Sequence, residues 1–486
     1  MKNLTSDNDK VVIIGAGPAG LTAAYELVKK GINPVVVDKG NKVGGLARTE
    51  VYKGFRFDIG GHRFYTKVSE VESLWNEVLG KDFRKVPRLS RIYYNGKFYN
   101  YPLNIFNTLL NLGIIESFLI LMSYIKWKVL PYQEENTFEQ WVTDRFGKRL
   151  YRIFFKSYTE KVWGTPCSEI RADWAAQRIK GLSLKSAVMN SLFNTNGVKS
   201  LISEFQYPVY GPGMMWENFS EKIEKEGGNV KLNCDVIGIN HSDYKIESIT
   251  VNSKGKVFEI KGNNFISSMP VTDLIIKMNP KAPFQIEDAA RKLSYRALML
   301  VGLIVNKKNL FPDNWIYIHS PEFKVGRIQN FKNWSPEMSA DQDKTNIGME
   351  YFCSEGDDIW SMTDDELINL AKEEFYALGF SSQDTIEDAV VFRSPNAYPV
   401  YDNGYKQQLL IIKEFLQSIE NLQTIGRNGL HRYNNQDHSM LTSILAVKNL
   451  FGENNDLWDI NTDRSYYEEV SIEKEKTSEK VIHEDA

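Results

Sequence analysis

A buried-type apolar strand that runs into a glycine triplet and a helix opens the chain. An apolar helical stretch follows from Ile105, and a β-rich region fills the middle of the chain. Together they predict an α/β protein with a Rossmann-like dinucleotide-binding domain built from discontinuous segments. A helical lobe and a substrate domain with a mostly antiparallel sheet complete it. The expected boundaries are 1–98, 206–274 and 421–460 for the dinucleotide domain, 99–205 for the helical lobe and 275–420 for the sheet domain. The charge-rich 461–486 reads as a solvated tail. At 486 residues the chain is too long for one simple core.

The elements follow in order. Val11-Val12-Ile13-Ile14 has the continuous apolar pattern of a parallel strand buried on both faces. Gly15 permits the tight turn that follows, Gly17 lets backbone approach a pyrophosphate, and Gly20 allows close helix–strand packing. Pro18 and Ala19 open the helix, whose free N–H groups and positive dipole end suit phosphates. Gly31 ends it, and Pro34-Val35-Val36-Val37 forms a second strand closing at Asp38, where a ribose-binding carboxylate belongs, with Lys39 beside it. Further on, Asn229 to Val236 reads as one strand. Ile246–Val251 and Lys256–Ile260 read as a hairpin turning at Ser253-Lys254-Gly255. Phe265 to Met269, closed by Pro270, reads as a strand returning to the first domain.

Composition excludes several classes. A net charge of −3 gives no electrostatic case for nucleic acid. Cys167, Cys234 and Cys353 lack metal-ligand spacing, so no metal is expected, and an odd, sparse count suits a reducing cytoplasm. Met1 to Lys10 carries no signal-peptide pattern. Ile105 to Leu130 is largely apolar, but its uncharged run between Glu116 and Lys126 is well short of the roughly 18 residues a span needs. The expectation is a helix buried in the helical lobe and no transmembrane segment, with a membrane-surface or oligomer contact as the alternative.

Near the other end, Ile425 to Ser439 packs a Gly-Arg step and a dense polar and aromatic run directly before an apolar helix pattern. Such residues must find partners or face a ligand. The glycine triplet cannot by itself separate NAD from FAD. Val43-Gly44-Gly45-Leu46-Ala47-Arg48-Thr49 and Phe57-Asp58-Ile59-Gly60-Gly61-His62 can, because both resemble the extended FAD signature of the amine oxidase and protoporphyrinogen oxidase superfamily.

Within that superfamily the chain resembles the UDP-galactopyranose mutase family, in its eukaryotic-type branch, from Val11 to about Leu450. The carrying motifs are Gly60-Gly61-His62, Tyr101-Pro102, Lys161-Val162-Trp163, Gln177-Arg178, Tyr398-Pro399-Val400 and Asn435-Gln436-Asp437-His438-Ser439. The resemblance implies a mutase that interconverts pyranose and furanose forms of a nucleotide-linked sugar, active with reduced FAD and without net redox change. NADPH or NADH is the implied reductant, though no second fingerprint stands in the sequence. In this family the reduced flavin's N5 attacks the anomeric carbon and expels the nucleotide diphosphate.

Arg178 and Arg327 are then the diphosphate clamp, since the guanidinium fork makes paired, permanently charged hydrogen bonds. His62 lies against the flavin and completes the catalytic set. Tyr101, Asn104, Trp163, Tyr317, Tyr398, Tyr433 and Asn435 form the substrate pocket. Gly15, Gly17, Pro18, Ala19, Gly20, Asp38, Lys39, Gly45, Leu46, Gly60, Gly61, Val236, Arg427, Gln436 and Asp437 hold the cofactor with His62. Leu103-Asn104 stands where the family has Phe-Gln, Thr159 where it has Asn, and the loop after Gly426-Arg427 is short, so the resemblance does not fix the sugar. A redox flavoenzyme of the amine oxidase or protoporphyrinogen oxidase type needs no diphosphate clamp. A non-catalytic relative resembling Rab escort proteins would lack flavin.

Overall fold

The computed structural model describes residues 10–101, 103, 105–172, 200–201, 203–402, 404–460 and 469–470. Five parallel strands form the first sheet, in the order Asn229–Lys231, Val35–Val37, Val11–Ile14, Asn264–Ser267 and Leu422–Thr424. Strands far apart in sequence thus lie side by side, as the discontinuous reading expects. Val11 and Ile13 join a core shared with the helices Pro18–Val28 and Gln436–Leu450, whereas Val12 and Ile14 join a core on the opposite face. Successive side chains of a strand point to opposite faces, which is why a strand buried on both faces reads as an unbroken apolar run.

The stretch from Asn229 to Val236 is not one strand. It breaks after Lys231, and Asn233 takes a left-handed φ of +54°. Asp235–Ser242 then starts a separate sheet with Lys245–Ser253 and Lys256–Lys261. The apolar alternation continues across the break, so only the backbone reversal separates two sheets here.

Seven strands form the largest sheet, in the order Ile386–Pro399, Tyr295–Val305, Thr345–Cys353, Arg327–Asn330, Trp315–Ile318, Ser90–Tyr94 and Lys97–Asn100. All neighbours are antiparallel except Trp315–Ile318 against Ser90–Tyr94. The two strands between Ser90 and Asn100 therefore belong to this sheet, although their position in sequence suggested the first domain. Its register sets Arg327 opposite both Tyr317 and Glu350.

The helical lobe packs Phe138, Trp141, Tyr151, Phe154 and Trp163 into one core. Thr137 caps the helix Phe138–Phe146, accepting the Gln140 N–H at 3.3 Å while Gln140 Oε1 accepts the Thr137 N–H at 3.0 Å. Ile105 to Leu130 corrects its expectation twice. It forms two helices, Ile105–Leu112 and Ile114–Val129, because Gly113 breaks the run at φ +84°. In the second helix only Ile120 is buried, so this is an exposed surface and not a core element. No described helix is long and apolar enough to cross a membrane. The expected tail falls outside the described residues apart from Glu469–Val470.

Candidate functional site

The glycine turn is built where the first strand meets its helix. Gly15 has φ +104°, and its N–H donates to Val37 O at 2.8 Å. A Cβ on Gly20 would stand 1.8 Å from Gly15 O, so no other residue fits this close helix–turn contact. A Cβ on Gly45 would stand 3.1 Å from Gly17 Cα, so the two glycine loops meet backbone to backbone. Pro18 begins the helix, and Ala19 is buried with its carbonyl accepting from Ser443 Oγ at 2.7 Å. Asp38 braces the turn: Oδ2 accepts the Ala16 N–H and Oδ1 the Gly40 N–H, both at 2.7 Å. Each oxygen keeps a lone pair for a ribose hydroxyl. Lys39 is exposed and Leu46 half-buried, while buried Val236 gives its carbonyl to Lys277 Nζ at 2.7 Å.

The helix Gln436–Leu450 lies alongside the first helix and turns its N-terminus toward the same region, with exposed Asn435 as its cap. Gln436 and Asp437 are buried, yet neither amide atom of Gln436 nor either carboxylate oxygen of Asp437 has a hydrogen-bond partner. Asp437 Oδ1 lies 3.2 Å from His438 Nδ1, but that nitrogen already accepts the Asn435 N–H at 3.3 Å, so the contact is not a hydrogen bond. Buried polar atoms without partners mark a place where a polar ligand belongs. A glycine cradle and orphaned polar atoms at a helix N-terminus fit a dinucleotide carrying a polar ring system.

His62 follows the turn at Gly60, where φ is +100°. Its Nε2 donates to Ile59 O at 2.8 Å. Burial, with the charges of Arg427 and Arg327, pulls its pKa down to about 4, so the ring is neutral at physiological pH. Arg427 is engaged by backbone carbonyls. Its Nε and Nη2 donate to Asn434 O at 3.1 and 2.7 Å, and Nη1 donates to Ala397 O at 2.9 Å. It ties the segment around Tyr433 to the long edge strand, with its guanidinium 4.8 Å from the Tyr433 ring centre and 5.5 Å from that of Tyr398.

Arg327 anchors a second cluster, on the largest sheet. Its Nη2 and Nε lie 2.6 and 2.8 Å from Glu350 Oε2, and Glu350 is fully buried. Burial opposes the charge on Arg327, but Glu350 outweighs it and holds the guanidinium firmly cationic. Exposed Gly61 faces that guanidinium, since a Cβ there would stand 3.5 Å from its central carbon. Tyr158, Tyr317 and Tyr398 lie close enough to Arg327 to feel its charge. Tyr317 sits edge-on to Tyr101 at 5.2 Å and to Tyr158 at 5.3 Å. Tyr398 stacks on Tyr433 at 5.8 Å, and Trp163 meets the two at 6.4 and 6.3 Å. Arg178 and Asn104 lie outside the described residues.

Sequence reasoning missed Tyr158, Glu350 and Tyr401. Tyr158 follows a π-helical turn, Arg152–Lys156, which has no local sequence signal and rotates the next residues toward the site. Glu350 did leave a signal, a lone acid inside the apolar strand Thr345–Cys353. Tyr401 hides because its role, accepting the Tyr433 N–H at 2.5 Å, exists only across the fold. Lys161, part of a resembling motif, has a structural role: its ammonium donates to the carbonyls of Ile318, Ser320 and Val325.

Among known proteins, a probable UDP-galactopyranose mutase from Klebsiella pneumoniae is 28% identical over 181 residues, 34% of this chain and 44% of that protein. The 1-hydroxycarotenoid 3,4-desaturase of a Flavobacterium species (strain P99-3) is 24% identical over 266 residues, 50% of this chain and 53% of that one. The chain therefore spans about half the length of these relatives. A crystal structure of reduced UDP-galactopyranose mutase superposes with a TM-score of 0.80 at 23% identity, covering 93% of this chain and 97% of that chain, which establishes the fold. A family model described as flavin containing amine oxidoreductase matches residues 18–409. That match begins at the helix that follows the glycine turn and spans the helical lobe and the tyrosine-lined sheet, and the flavin in the family's description agrees with the cradle described above. The chain belongs to the flavin containing amine oxidoreductase family.

Proposed function

We propose that the protein is a FAD-dependent mutase of the eukaryotic type that interconverts pyranose and furanose forms of a nucleotide sugar without net redox change. UDP-galactopyranose is its first candidate substrate. The buried Arg327–Glu350 pair, set against Gly61 among Tyr158, Tyr317 and Tyr398, carries this reading. A fixed guanidinium beside the cofactor suits a departing diphosphate, and oxidation of an apolar or amine substrate has no use for it. Gly15, Gly17, Asp38 and Gly45 would hold FAD, which when reduced would supply the nucleophilic electron pair that this exchange needs.

The chain supplies the rest. Arg327, with Arg178 as the resemblance implies, holds the diphosphate. Tyr101, Trp163, Tyr317, Tyr398 and Tyr433 wall in the sugar and exclude water, with Asn104 and Asn435 as polar contacts. Neutral His62 keeps its Nε2 proton on the Ile59 carbonyl and adds no charge beside the ring. The N-terminus of Gln436–Leu450 offers its positive end to the negative charge of the reduced cofactor. NADPH or NADH enters as the reductant.

Anaerobically reduced protein incubated with UDP-galactopyranose is expected to give the furanose form by chromatography, with many turnovers per reducing equivalent. No product from a panel of nucleotide sugars would overturn the reading. Arg327→Ala is expected to lower kcat by about 10²–10³-fold with FAD retained. Loss of FAD from that variant would mean that Arg327 serves the cofactor. The likeness to a carotenoid desaturase favours a second reading, a FAD-dependent oxidoreductase. It predicts one equivalent of oxygen or another acceptor consumed per turnover.

A further inference from the structure

Among the described residues, more than half of the large apolar side chains that are exposed lie between Leu109 and Leu130, and the rest are scattered. Scattered ones are ordinary, whereas a contiguous patch marks an interaction surface. Ile114 is 90% exposed, Ile115 80%, Phe118 60% and Val129 72%. At about 3.6 residues per turn, Ile114, Ile115, Phe118, Leu121, Met122 and Ile125 share one continuous stripe of the helix Ile114–Val129. Lys128 borders that stripe on one side and Lys126 on the other. The only acid between Ile105 and Leu130 is Glu116, which lies on the packed flank and pairs with Arg149 Nη2 at 2.7 Å.

We propose that this helical pair docks in the plane of an anionic lipid bilayer. The stripe sinks to the acyl boundary while Lys126 and Lys128 reach up to the phosphates. The helix is too short and too charged at its end to span the bilayer. Charge selects lipid over a second copy of the chain: the face carries cations and no free acid, so a second copy has nothing on it to pair with the lysines. A headgroup layer containing phosphatidylglycerol offers both the apolar depth and the negative charge. The pair begins four residues after Tyr101, so docking holds the tyrosine-lined site close to the lipid surface. The inference stands apart from the mutase reading, since it uses none of the site's residues.

The test is flotation of the full-length flavin-loaded protein with vesicles of phosphatidylcholine alone or mixed with phosphatidylglycerol, at low and high salt. The protein is expected to float with the mixed vesicles and to be released by salt. Lys126→Glu/Lys128→Glu is expected to weaken binding by at least about tenfold. Phe118→Glu/Met122→Glu is expected to abolish it. These side chains are exposed, so folding is preserved and is checked by the flavin spectrum. Failure to float with either vesicle overturns the proposal, as does flotation unchanged by Phe118→Glu/Met122→Glu. A dimer that this double variant splits, with no vesicle binding in the parent, would assign the face to a second copy and equally overturn it.

Discussion

Glu350 fixes what Arg327 can do. By taking Nε and Nη2, it orients the guanidinium against Gly61. Glu350→Gln keeps the shape but removes the countercharge from a largely buried cation. Breaking a buried pair in this way is costly, so thermal or urea unfolding is expected to show a loss near the lower end of about 3–5 kcal/mol, because Arg327 keeps 17% of its side chain exposed. An unchanged melting temperature would show that the pair contributes no stability. His62 obeys the opposite logic. Its folded pKa of about 4 lies below the ordinary 6.5, so the unfolded chain takes up the proton first and stability falls as pH drops from about 6.5 toward 4. Urea titrations across that window are expected to show a shallower fall for His62→Gln. Between about pH 5 and 8 the rate profile is expected to carry no ionisation that His62→Gln removes.

At the scale of elements, the glycine turn and its helix form one rigid unit. Gly20→Ala would drive a methyl group into Gly15 O, so the helix must move off the turn and its N–H groups leave the pyrophosphate position. Purified Gly20→Ala is expected to be colourless or to lose its flavin on dilution, followed by absorbance. Retention of stoichiometric flavin would place the pyrophosphate elsewhere. The π turn Arg152–Lys156 is a second such device, because it adds a residue to the helical path and brings Tyr158 to Arg327 and against His319, where the two rings stack at 4.7 Å. Gly113 is a third, since it divides the apolar run into two helices and leaves the longer one on the surface.

Across the molecule, Asp58 links pieces of chain that lie far apart. Thr49 Oγ1 donates to it at 2.7 Å, the Tyr207 hydroxyl donates to its other oxygen, and the Gly213 N–H donates to Thr49 Oγ1 at 3.0 Å. Full burial without a cation pushes the Asp58 carboxyl up to about 7. The folded state therefore holds this proton more tightly than the unfolded chain. Its contribution is complete below the ordinary carboxylate range and is lost as pH rises through about 7. Melting temperatures across that range are expected to fall less with pH in Asp58→Asn. A parallel decline in variant and parent would show that another group titrates.

By itself, the sequence determined whatever depends on neighbours along the chain. The unbroken apolar strand, the glycines whose place no side chain can take, the acid after the second strand and the capped C-terminal helix are local, and all were legible. Resemblance of short motifs named candidate site residues, and the structure brings Arg327, Tyr317 and Tyr398 of these together. What depends on partners across the fold was not legible. That Arg327 faces Glu350, that Tyr401 holds Tyr433 and that Arg427 binds backbone carbonyls follow from strand register and loop packing. Burial is equally non-local: Ile105 to Leu130 reads as core because its side chains are apolar, yet exposure is set by what packs against it. The tertiary structure alone decided that these residues face outward, because periodicity reports which side chains share a face and not what that face meets.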